Sequence, residues 1–142
     1  MSKTGPIILI EDDLDDEEIF REALTEIGVE NKLICFSTTQ EAFDYLINMT
    51  EQPFLIFCDV NLPKQSGLDF KKQIDSNPVL RKKSIPFLFN STAIDKRTVT
   101  EAYTEMAIQG YFLKQSEFHN VISSLRTIIQ YWNMCEHPST YN

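Results

Sequence analysis

The sequence predicts a doubly wound α/β fold, with five parallel strands covered by helices on both faces. Three observations lead there. Short apolar runs alternate with segments of helical period along nearly the whole chain. The runs are continuously apolar, as expected of strands buried on both faces. Four of the runs end on a polar residue suited to chemistry: Asp12, Asp59, Ser91 and Lys114. In sheets of this kind, sites form outside the carboxyl ends of the strands.

Each element has its own signal. Residues 6–10 form the first strand. Residues 13–27 form a helix with Ile19, Phe20, Ala23, Leu24 and Ile27 on one face, and Gly28 stops it. Residues 31–36 are a more polar strand, placed at an edge. Residues 38–48 are helical, with Ala42, Phe43, Leu46 and Ile47 inward. Residues 54–58 are the most apolar strand and mark the centre of the sheet, and residues 67–74 make a short helix. Residues 77–84 read as a loop containing Pro78, Arg81, Lys82 and Lys83. Residues 86–90 are a strand, with Pro86 tolerated at its first position. Residues 95–106 are a helix capped by Asp95. Residues 110–113 are the last strand. Residues 116–134 form the longest helix, capped by Ser116, with Phe118, Val121, Ile122, Leu125, Ile128, Ile129 and Trp132 on its inner stripe. Residues 135–142 read as a frayed tail.

Composition narrows the function. A chain of 142 residues suits one domain with a full core. The net charge of −8 disfavours nucleic acid and anionic membranes as partners. No run approaches the roughly 20 apolar residues of a membrane span, and residues 1–6 lack a signal peptide's apolar region, so the expected location is cytoplasmic. Cys35, Cys58 and Cys135 show neither disulfide nor zinc spacing, and the first two suit core positions. His119 and His137 read as surface or capping residues.

The four strand-end residues make a coherent chemical set. Glu11, Asp12 and Asp13 follow the first strand, and acids this close raise one another's pKa unless a cation neutralises them. Oxygen ligands with room for water suit Mg²⁺. The same acids would also suit a helix start, a reading that fits Asp15, Asp16, Glu17 and Glu18 well. Asp59, held at the end of the central strand, could attack phosphorus once its charge is screened. Ser91 could donate to a phosphoryl oxygen or simply form a turn. Lys114 could pair with a carboxylate or a phosphoryl oxygen. Taken singly, each residue has an ordinary structural reading. Together they form one phosphate-chemistry site.

Over residues 5–134 the chain resembles a two-component response-regulator receiver domain of the single-domain, chemotaxis-regulator type. The pattern is Glu11-Asp12 after the first strand, Asp59 with Asn61 and Pro63 beyond it, Gly67, Ser91 and Lys114. The resemblance implies the flavodoxin-like strand order 2-1-3-4-5 with five helices. It implies that Asp59 is the phosphoacceptor, and that Glu11, Asp12, Asp59 and the Asn61 backbone carbonyl hold Mg²⁺. Ser91 and Lys114 would bind the phosphoryl group, and Ser91 and Tyr111 would act as the switch. A sensor histidine kinase or phosphotransfer protein would be the donor. The output would be altered contact with a downstream protein, or a homodimer through the fourth helix, fifth strand and fifth helix. Val99, Tyr103 and Trp132 are candidates for that surface, with core packing as their other role. The chain ends soon after the last helix, so the expected signal leaves by partner binding alone.

The sequence departs from the family pattern at Gln115, where Pro is usual after the Lys. A trans Lys114–Gln115 bond is expected, because a cis bond costs far more before Gln than before Pro. The resemblance also implies that Asn61 and Ala93, two residues beyond Asp59 and Ser91, flank the path of attacking water, and the small Ala93 then predicts open access and a shortened phosphoryl lifetime. Other readings are weaker. A haloacid-dehalogenase-type phosphatase needs a second Asp two residues past the nucleophile, and Asn61 cannot donate a proton there. A flavin or nucleotide binder lacks the Gly-rich loop. A phosphate-independent scaffold stays open through Gln115. Catalysis beyond self-phosphorylation and autodephosphorylation is not implied.

Overall fold

The computed structural model describes residues 2–138. Five parallel strands form one sheet: β1 (Ile7–Ile10), β2 (Leu33–Phe36), β3 (Leu55–Cys58), β4 (Phe87–Ser91) and β5 (Gly110–Leu113). Their order is β2-β1-β3-β4-β5, as the resemblance implied, with β3 central and β2 at an edge. Among the described residues six α-helices surround it: α1 (Leu14–Ile27), α2 (Thr39–Asn48), α3 (Gly67–Ser76), α4 (Pro78–Lys83), α5 (Lys96–Glu105) and α6 (Phe118–Met134).

The continuous apolar runs reflect two cores, one on each face of the sheet. Ile7 and Leu9 of β1 pack with Phe20, Ala23 and Leu24 of α1 and with Leu125, Ile128 and Ile129 of α6. Their neighbours Ile8 and Ile10 point the other way, into a cluster with Leu46, Phe70, Ile74, Leu80 and Ala102. Successive side chains of a strand alternate between faces, so a strand covered on both sides must be apolar throughout.

Local signals set the helix ends. Asp13 caps α1 by accepting the N–H groups of Asp15 and Asp16, and Gly28 closes it at φ 87°. Thr38, Ser66 and Asp95 cap α2, α3 and α5.

Several expectations need correction. Residues 77–84 are not a plain loop but contain α4, begun by Pro78 at its first turn and capped by Asn77. Proline starts a helix as readily as it ends one, because its missing N–H is unneeded there. Ser116 does not cap α6: the cap position is Glu117, and no side chain bonds there. Phe118 and Ile47 lie outside the core, at 41% and 37% exposure. His137 is not a surface residue. It is fully buried, with Nε2 2.7 Å from the Phe54 carbonyl. The chain is therefore docked at His137 rather than frayed, while residues 139–142 of the expected tail lie outside the described residues. No described helix is long and apolar enough to cross a membrane.

Candidate functional site

The site forms where strand order reverses. β1 is followed by α1 and then β2 on one side, while β3 lies on its other side. Residues that follow β1 and β3 therefore emerge side by side at a crevice. The Asp59 N–H donates to the Ile10 carbonyl at 3.0 Å, which locks the two strand ends together.

Glu11, Asp12 and Asp59 each bring a carboxylate oxygen to within 4.8 Å of the others. Glu11 and Asp59 are buried and Asp12 is exposed. Burial holds the Glu11 carboxyl above its ordinary pKa, against the opposing pull of Lys114. Three all-oxygen ligands with one side open to water fit a hard divalent cation. The Asn61 N–H donates to Asp59 Oδ1 at 3.2 Å.

Lys114 reaches into this cluster from the end of β5. Its ammonium lies 2.5 Å from Glu11 Oε1, 2.7 Å from Asp16 Oδ2 and 3.0 Å from Asp59 Oδ2. Burial opposes the charge, but hydrogen bonds to Asp16, Glu11 and Asp59 outweigh it and hold the pKa above the ordinary lysine value. All described peptide bonds are trans, Lys114–Gln115 included. The Lys114 N–H donates to the Ser91 carbonyl at 3.0 Å, and Gln115 Nε2 donates to the Leu113 carbonyl at 3.2 Å.

Ser91 is fully buried as the last residue of β4, and its hydroxyl accepts the Ala93 N–H at 3.2 Å. The Tyr111 hydroxyl donates to the Ala93 carbonyl, and the Tyr111 N–H donates to the Tyr103 hydroxyl at 3.0 Å. Ala93 thus joins the hydroxyl of Ser91 to the ring of Tyr111. Val99 is half-buried, Tyr103 is exposed, and Trp132 packs half-buried on the α1–α6 core.

Gly67 starts α3 directly against the phosphoacceptor candidate. A Cβ there would overlap the Asp59 carbonyl oxygen, so only glycine permits the approach. One contributor was not singled out in the sequence. Asp16 reads as a helix-start acid, yet its carboxylate meets Lys114 across 98 residues of chain. Its sequence signal is its place in the first turn of the helix that follows Glu11 and Asp12.

The family model for the response regulator receiver domain matches residues 7–126. The chain belongs to that family. Receiver domains are the response-regulator modules of two-component signalling, and this receiver is 27% identical over 131 residues to the response regulator Rcp1 of Synechocystis, covering 89% of this chain and 87% of that protein. A crystal structure of the phosphorylated cyanobacterial phytochrome response regulator RcpA superposes with a TM-score of 0.83 at 26% identity, covering 95% of this chain and 98% of the other. The Mn²⁺-bound form of Rcp1 superposes with a TM-score of 0.81 at 25% identity, covering 95% and 99%.

Proposed function

We propose that this receiver is a phosphorylation-driven switch whose phosphoacceptor is Asp59. One observation carries the reading: a lysine ammonium hydrogen-bonds the Asp59 carboxylate inside an all-oxygen acidic cluster at the β1–β3 crevice. Related chains crystallised as a phosphorylated form and as a Mn²⁺-bound form support it.

An Asp59 oxygen attacks phosphorus, and the bond from phosphorus to the donor breaks. With a phosphohistidine donor, the imidazole nitrogen keeps the electron pair and is protonated as it leaves. Lys114, which donates to Asp59 at 3.0 Å, is near enough to offset negative charge on the transferring oxygens. Glu11, Asp12, Asp59 and the Asn61 carbonyl would hold Mg²⁺, which when bound neutralises the repulsion between these acids and the phosphoryl group. Water attack on phosphorus later releases phosphate and restores Asp59. The donor is a histidine kinase or phosphotransfer protein, and the names of the relatives make a phytochrome-type kinase the first to try.

The output is conformational. To donate its O–H to a phosphoryl oxygen, the Ser91 hydroxyl turns from the position in which it accepts the Ala93 N–H. That displaces Ala93, whose carbonyl holds Tyr111. Tyr111 lies on β5, flanked by α5 and α6, so the change reaches the face offered to a downstream protein or a second copy.

The test is intact-mass measurement after incubation with acetyl phosphate and Mg²⁺. The expected result is one phosphoryl adduct on the wild type, lost in Asp59→Asn and lost on chelation. The absence of an adduct with acetyl phosphate and with any kinase donor would favour the phosphate-independent scaffold.

A further inference from the structure

Three carboxylates hold Lys114, and only two of them belong to the acidic cluster. A lysine ammonium has three N–H donors, so Glu11, Asp16 and Asp59 can take one each. The demands on these acids differ. Glu11 and Asp59 are the groups a divalent cation would draw on, and phosphorylation uses an Asp59 oxygen. Asp16 stands outside that set, in the first turn of α1. Its grip on Lys114 does not depend on what the cluster holds.

Lys114 needs such a grip. Its four-carbon stem is flexible. A cavity of about 240 Å³ opens beside it, lined by Asp16, Phe112, Lys114, Gln115, Val121 and Leu125. The ammonium therefore has somewhere else to go. The loop beyond it begins with the exposed Gln115, where the family usually has a proline ring. On the other side Asp16 is well anchored, because Asp13 Oδ1 accepts its N–H at 3.1 Å. The pair is half-buried, with the Lys114 side chain 15% exposed and that of Asp16 39%.

We propose that Asp16 is a positioning residue that tethers the Lys114 ammonium to α1 and keeps it at Asp59 when Glu11 and Asp59 are engaged elsewhere. The role assigned to Lys114 rests on the reading of Asp59 as phosphoacceptor. The tether itself can be observed without any phosphorylation. In this chain a side chain from α1 supplies an orientation that the β5–α6 loop does not.

The experiment follows the Lys114 ¹⁵Nζ–H signal by NMR in wild type and Asp16→Ala, without and with saturating Mg²⁺. A hydrogen-bonded ammonium exchanges its protons slowly enough to be seen. The expected wild-type signal persists when Mg²⁺ is added, whereas Asp16→Ala loses it on that addition. Phosphorylation from acetyl phosphate at saturating Mg²⁺ then slows roughly two- to fivefold in Asp16→Ala, as loss of one half-buried ion pair implies. Asp16→Glu restores most of the rate, and Asp16→Ala adds nothing in a Lys114→Ala background. A signal that survives Mg²⁺ in Asp16→Ala would overturn the proposal, as would a further slowing in the Lys114→Ala background. A wild type that accepts no phosphoryl group would instead overturn the reading of Asp59, and the ammonium signal would still decide the tether.

Discussion

At the scale of single residues, the site depends on close approach as much as on charge. Gly67 is the clearest case, because α3 begins where a side chain would strike the Asp59 carbonyl oxygen. Gly67→Ala is expected to cost about 1–3 kcal/mol, as overpacking does, and to slow phosphorylation by shifting Asp59. Chemical denaturation and phosphorylation kinetics on the same variant check both effects. Ala93 carries a second expectation. If its small side chain leaves a path for attacking water, as the sequence predicts, Ala93→Glu should lower the autodephosphorylation rate by several-fold. An unchanged rate measured by phosphate release would remove Ala93 from that role. The acids and the lysine were legible in the sequence because each lies at or just past the end of an apolar run. Asp16 was not, because a first-turn acid needs no partner to explain it. Only the tertiary fold brings the Lys114 ammonium, from beyond the end of β5, to the start of α1. His137 was missed for a related reason: nothing local reveals that the carbonyl of Phe54 awaits it.

At the scale of elements, the caps decide how precisely the site is held. Asp13 accepts two N–H groups of α1, and one of them belongs to Asp16. Asp13→Ala is expected to lose about 1 kcal/mol of stability. By thermal melting that is a fall of roughly 2–5 °C for a domain of this size. The variant should also loosen Lys114, because Asp16 reaches it from that turn. Strand order and helix faces followed from periodicity, since long, strongly patterned segments leave few alternatives. α4 did not, because Asn77-Pro78 serves equally as a loop signal and as a cap with an N1 proline. The start of α6 was set one residue early, at Ser116. A good capping residue was present, but the helix begins beyond it without a side-chain cap.

At the scale of the whole molecule, the two ends of the sheet do different work. The carboxyl ends of the strands gather the acids and Lys114. The opposite end is closed by segments near both ends of the described residues: Asn31 donates to the carbonyls of Lys3 and Gly5 at 2.8 and 2.7 Å, and Lys3 donates to the Asn133 carbonyl at 2.8 Å. His137 completes that closure. Burial pushes its imidazole below the ordinary 6.5, more than the Phe54 carbonyl raises it, and Lys3 adds to the lowering. The unfolded chain therefore takes up a proton at His137 at a higher pH than the folded one. Its contribution is complete above pH 6.5 and is lost as pH falls toward the lowered value. The stability gap between wild type and His137→Ala should be widest above neutrality and narrower near about pH 5, as read from urea midpoints. A gap that widened on acidification would contradict the neutral, buried imidazole. The central claim concerns the other end of the sheet, and locating the phosphoryl group tests it most directly. After reaction with acetyl phosphate and Mg²⁺, borohydride reduces an aspartyl phosphate to homoserine, which peptide mass spectrometry assigns to a residue. The expected result is homoserine at position 59 alone; an unreduced Asp59, or conversion at another acid in its place, would contradict the assignment.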